Sequence, residues 1–100
     1  MLYLDKFKFK NKQLRFVEEV DDYFFVIKDL CILAGAHSYL SILSRLKPEN
    51  KQCVRLMVNS TPKNVNFILS SDLHILADII GTPKAARVLS QLEELVKSWR

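Results

Sequence analysis

Glycine is scarce in this chain: two in 100 residues, beside three prolines, two cysteines and one tryptophan. With so few glycines there is no phosphate-cradling loop of the dinucleotide or P-loop kind. The cysteines, Cys31 and Cys53, sit in apolar surroundings without metal-ligand spacing. They read as reduced core residues, which points to a reducing compartment. No apolar run of about 18 residues is present to span a membrane, and no secretory signal is visible. His37 and His74 fall in no ligand or triad pattern, and Glu18-Glu19, Asp21-Asp22 and Glu93-Glu94 are adjacent pairs that point different ways. Neither an enzyme, a metal site, a cofactor nor a small-molecule substrate is expected. The expectation is a soluble, intracellular, non-catalytic domain.

What is present is a core. Apolar residues make up 49% of the chain, enough to exclude a disordered segment, and the length is that of one domain. Residues 1–100 therefore read as a single domain, with the N-terminal part of a longer protein as one possibility. The net charge of +4 permits contact with phosphates or an acidic partner. A merely solvated surface explains that charge as well.

The organising stretch runs from Tyr23 to Leu46. Tyr23-Phe24-Phe25-Val26 is too short for a helix and rich in aromatic and branched residues, so it reads as a buried strand. Leu30, Leu33 and Ala34 then repeat at helical spacing up to Gly35, a left-handed stop. His37 or Ser38 caps a second helix carrying Leu40, Leu43 and Leu46, which Pro48 ends. Before this stretch, residues 3–10 alternate Phe7 and Phe9 with Lys6, Lys8 and Lys10, a half-buried strand whose lysines read first as an edge guard. Leu14 and Phe16 continue a second strand reaching toward Val20, with Asp21-Asp22 as the turn into the third.

After the helices, residues 53–59 and 65–69 read as two strands around Ser60-Thr61-Pro62-Lys63, with Lys63 near the tip. Ser70-Ser71-Asp72 starts a helix that Gly81 ends. Thr82-Pro83 starts the last one, which carries Ala85, Val88, Leu92, Leu95 and Trp99 at spacings of three and four. The fold class is α+β: a small antiparallel sheet of about five strands with four helices, in the order β-β-β-α-α-β-β-α-α.

Several segments then resemble the BRO-N domain, the N-terminal domain of the BRO proteins of baculoviruses and other large DNA viruses and phages. FKFKNKQLRFV resembles that family's opening hairpin. YFFVIKDLCILAG resembles its F-V-x-K-D-aliphatic run leading into a helix that ends near a Gly. Residues 65–80 and 83–99 resemble its later strand and last two helices. The chain departs from the family pattern at Ser71-Asp72, where Glu-Gly is usual, and in the displaced Trp99. The resemblance implies DNA or nucleic-acid binding linked to viral or chromatin regulation, in a nucleus if the host is eukaryotic.

The residues expected to carry that binding come from the physical reading. Ser38 and Ser41 begin the second helix and would face the groove or backbone. Arg45, Lys47 and Lys51 would neutralise phosphates, and Arg55 and Lys63 on the hairpin would flank them as a wing. The rival reading is a protein-interaction or homodimerisation module that uses Val88, Leu92, Leu95 and Trp99 or a sheet edge. Exposure of that stripe discriminates between the two.

Overall fold

The computed structural model describes residues 4–20 and 22–99. Tyr3, expected to open the first strand, and the turn residue Asp21 lie outside the described residues. The strands are β1 (Asp5–Phe9), β2 (Lys12–Glu19), β3 (Asp22–Val26), β4 (Gln52–Val58) and β5 (Thr61–Leu69). The helices are α1 (Ile27–Leu33), α2 (Tyr39–Arg45), α3 (Leu73–Ile80) and α4 (Pro83–Lys97), with 3-10 turns at Pro48–Asn50 and Ser70–Asp72. The fold is α+β in the expected element order, and the sheet is antiparallel throughout, in the order β1-β2-β3-β5-β4.

Three hairpins build that sheet, each through a two-residue turn. Lys10 and Asn11 (φ 50° and 66°) close β1–β2, and Asn59 and Ser60 (φ 51° and 64°) close β4–β5. Left-handed backbone at both central positions matches the twist of the flanking strands. The β2–β3 turn includes Val20, at φ 46°. Val20 therefore does not continue β2 as its apolar character suggested; it sits in the turn, 94% exposed. The β4–β5 turn likewise moves Lys63 from the expected tip into β5, where it pairs with Leu56.

One sheet face, bearing Leu14, Phe25 and Ile68, packs against the helices and forms the main core with Leu30, Leu76, Leu89 and Leu92. The other face holds a smaller cluster of Val17, Val26, Val65 and Phe67, with Leu4, Leu56 and Val58 against it. Leu4 from the start of the chain and Val58 from the hairpin end meet in that cluster. The β4–β5 hairpin thus curls over the outer face of β1 and β2.

The helices follow their sequence signals in part. Gly81 ends α3 at φ 76°, and Thr82 caps α4 by accepting the Ala85 N–H at 3.1 Å. α2 turns inward two of the three leucines expected there, Leu46 and in part Leu43, together with Ile42. Ile42 and Leu46 are buried, whereas Leu40 is 75% exposed. Ser38 precedes α2 but makes no side-chain cap.

The stripe expected to serve as an interface is occupied within the monomer. Val88 and Leu92 are buried in the core, beside Leu89 and Val96. Leu95 and Trp99 are half-buried against that core. The Trp99 ring sits 5.1 Å from Phe7 and 5.2 Å from Tyr23, both edge-on, and 5.9 Å from Phe16. Such geometry is favourable for aromatic pairs. It seals the end of α4 onto the first three strands.

The cysteines separate. Cys31 is buried as expected, but Cys53 is exposed on β4, because it shares the outward side of that strand with Arg55 and Met57. Burial pushes the Cys31 thiol from its ordinary 9.0 up to about 11. Between those values the unfolded chain gives up this proton while the folded one keeps it. The contribution is therefore fully present below the ordinary value and is lost as pH rises through about 11.

Two outcomes are expected. A thiol reagent at about pH 8 should label Cys53 quickly in the native protein and Cys31 only after denaturation, since reactivity follows exposed thiolate; equal rates would contradict the buried placement. Val20→Asn should raise the free energy of unfolding by about 1 kcal/mol, because a β-branched residue pays for left-handed backbone and Asn tolerates it. A urea titration with an unchanged or lowered midpoint would rule out strain at Val20.

Candidate functional site

β5 is longer than its contact with β3. β3 pairs with β5 at Val26–Phe67, Phe25–Ile68 and Phe24–Leu69, and the chain then turns into α1. The first part of β5, Thr61 to Asn66, pairs with β4 alone among the described residues. A gap opens where β5 leaves β3. It is a cleft of about 160 Å³ lined by Arg15, Val26, Lys28, Tyr39, Val58, Lys63, Asn64, Val65 and Asn66. Three of those side chains are cationic and none is acidic.

Arg15 joins this cleft to a second groove of about 500 Å³, lined by Leu4, Lys6, Gln13, Arg15, Asp29, Met57, Val58 and Asn59. Val58 is common to both. The two adjoin at Arg15 and Val58 beside the hairpin, with Lys28 and Lys63 lining one and Lys6 the other. Asp29 is the one acidic lining residue.

Asp29 is engaged. One of its carboxylate oxygens accepts the Arg15 backbone N–H at 2.9 Å and Nε–H at 2.8 Å; the other accepts from Nη2 at 2.9 Å. This two-pronged pair ties α1 to β2, with Asp29 almost wholly buried. Bidentate guanidinium–carboxylate contacts are among the stronger hydrogen bonds, and they fix orientation as well as charge. The hydrogen bond to Asp29 raises the Arg15 pKa further above its usual range, against a smaller opposing effect of burial. The guanidinium is charged at every accessible pH, and its charge is balanced by Asp29. Lys6, Lys28 and Lys63 make no ion pair among the described residues.

The residues expected from sequence do not form one patch. Lys63 lies in the cleft. Arg45 and Lys47 come together elsewhere, in a groove of about 450 Å³ between the end of α2 and α3. Glu49 and Asp78 share that groove, so its charge is mixed. Lys51 donates from Nζ to the Leu43 carbonyl at 2.8 Å, adding a second donor to an oxygen that also accepts the Leu46 N–H at 3.3 Å. Arg55 donates to Asn64 Oδ1 across the β4–β5 pair at 3.2 Å. Ser38, just before α2, and Ser41, on it, are exposed and line none of these three depressions.

Arg15, Lys28 and Tyr39 are not among the residues the sequence pointed to, and the lysine row that includes Lys6 reads there first as an edge guard. One signal was available. Asp29 sits within the apolar run Ile27 to Leu33, and an acid buried there requires a partner. Lys28, its neighbour, turns to the opposite side and stays exposed. No family model, no curated protein and no solved structure matches this chain, so the site rests on its own geometry.

Asp29→Ala should lower the free energy of unfolding by about 2–3 kcal/mol, less than for a fully enclosed pair because Arg15 is partly open to solvent. Urea denaturation reads this as a lower midpoint at unchanged slope. A loss under about 0.5 kcal/mol would mean that water replaces the carboxylate without cost.

Proposed function

We propose that this domain binds nucleic acid without catalysis, through the basic depression under the β4–β5 hairpin. The observation that carries the reading is the cleft itself, with Arg15, Lys28 and Lys63 in its lining and no carboxylate. Phosphate-rich polymers are attracted by clustered cations, and each neutralised phosphate releases counterions. Asn64, Asn66 and Tyr39 add uncharged hydrogen-bonding groups to the same wall. In this proposal the hairpin serves as a wing beside the depression, with Lys63 acting from the strand and not from the tip.

The resemblance to the BRO-N domain points the same way, and we carry it as part of this proposal. DNA is the first candidate ligand. Arg45 and Lys47 take a lesser role in the proposal, because Glu49 and Asp78 offset their charge. The homodimer reading loses its stripe, since Val88 and Leu92 face the core. A protein partner would need another surface, such as the outward side of β4.

Labelled duplex DNA titrated at two salt concentrations tests this. Three to four phosphate contacts predict a slope of roughly −3 in log affinity against log salt. The double variant Lys28→Ala/Lys63→Ala should weaken binding about tenfold or more and flatten the slope by about 1, whereas Arg45→Ala/Lys47→Ala should change little. A salt-independent titration, or no binding at low salt together with a stable oligomer in light scattering, would replace this reading with a protein-interaction module.

A further inference from the structure

We infer that the cleft between β3 and β5 is a seat for a single phosphate group, resting on the same depression as the reading above but making a narrower claim. The argument begins with hydrogen-bonding parity along β5. A two-residue hairpin closes on a hydrogen-bonded pair, here Val58–Thr61. In an antiparallel ladder such pairs alternate with pairs whose amides point away from each other. Leu56–Lys63 and Val54–Val65 therefore exchange hydrogen bonds, and Arg55–Asn64 does not. The Asn64 backbone N–H faces away from β4, on the side where β3 has already ended. That side is the cleft.

A backbone donor at the edge of a cleft is joined there by cations from three other positions. Lys63 is the preceding residue, Lys28 opens from the first turn of α1, and Arg15 comes from β2. Arg15 has five N–H donors, and Asp29 takes two of them. The remaining three belong to a guanidinium already held in place, so little freedom is lost when they meet a ligand. Tyr39 contributes similarly: its oxygen accepts from Asn66 Nδ2 at 3.4 Å, which leaves its own O–H to donate. The lining is thus rich in donors, positively charged and free of carboxylate. Its volume suits one tetrahedral oxyanion and excludes a duplex.

A phosphate group reaches such a seat from two sources, the backbone of a nucleic acid or a free phosphorylated small molecule. Backbone-amide NMR on the full chain separates them. Inorganic phosphate, added at constant ionic strength against chloride, should produce saturable shifts centred on Asn64 and Lys28 at millimolar concentration. Lys28→Ala/Lys63→Ala, both exposed positions that leave the core intact, should weaken this about tenfold or more. Arg45→Ala/Lys47→Ala should leave it unchanged. An unphosphorylated-end oligonucleotide that shifts the same amides and is displaced by phosphate assigns the seat to the polymer backbone. A nucleoside 5′-monophosphate that binds where the oligonucleotide does not would keep the seat and remove the nucleic-acid reading. Oligonucleotide binding with no phosphate response at Asn64 would overturn the seat and leave the nucleic-acid reading standing. Shifts spread over scattered surface amides without saturation would overturn it too.

Discussion

The bidentate contact between Arg15 and Asp29 is the constraint on which the rest of the arrangement depends. It fastens the first turn of α1 to the middle of β2, across an element boundary where the chain leaves the sheet. A carboxylate placed among Ile27, Leu30 and Cys31 would otherwise be costly, and the guanidinium with its own backbone N–H supplies three donors at once. Once Asp29 faces inward, helical geometry sends Lys28 outward, since adjacent positions on a helix are about 100° apart. A structural pair thereby determines where a solvent-facing cation stands. The same pair keeps the Arg15 guanidinium at the junction of two grooves. Stability and surface chemistry meet in one contact.

The sheet is organised around an unequal division of labour. β1, β2 and β3 form one meander, sealed at its helix-facing side by Phe7, Phe16, Tyr23, Phe25 and the Trp99 ring. β4 and β5 form a second unit whose strand pairing with the first, among the described residues, runs over Phe67 to Leu69. The overhanging part of that unit is not idle. It brings Leu56 and Val58 to a small apolar cluster with Val17 and Val26, so the outer face of the sheet is partly covered by its own hairpin. Beside it, Lys28 and Lys63 line one depression and Lys6 the other. Met57, 67% exposed, adds an apolar surface at the rim.

The fold was legible because its signals are local. Phe7 and Phe9 alternate with lysines, Gly81 and Thr82-Pro83 punctuate the last two helices, and the aromatic run at residues 23–26 is too short for anything but a strand. The misreadings were also local. Pro62 read as a turn residue, yet at a non-hydrogen-bonded position its missing N–H removes no ladder bond, so it sits within β5. Val20 read as strand because of its type, while the turn that contains it obeys hairpin geometry. Leu40 looked like core, but Tyr39, Ile42, Leu43 and Leu46 supply the inward side of α2 and leave Leu40 outside. The site was less legible for a different reason. Arg15 and Asp29 are 14 residues apart, and Lys28 on α1 and Lys63 on β5 are separated by α2 and β4. No periodicity reports such a meeting; only the buried acid hinted at it.

The short junction between β3 and β5 has a kinetic consequence. Every other strand pairing in the sheet is made by a hairpin with a two-residue connection, so each closes a minimal loop and forms quickly. Joining Val26 to Phe67 instead requires the whole segment carrying α1 and α2 to be enclosed. Non-local pairings of this kind set the pace of folding. The chain is in effect two rapidly formed pieces held by a late seam, and the cleft opens at the end of that seam.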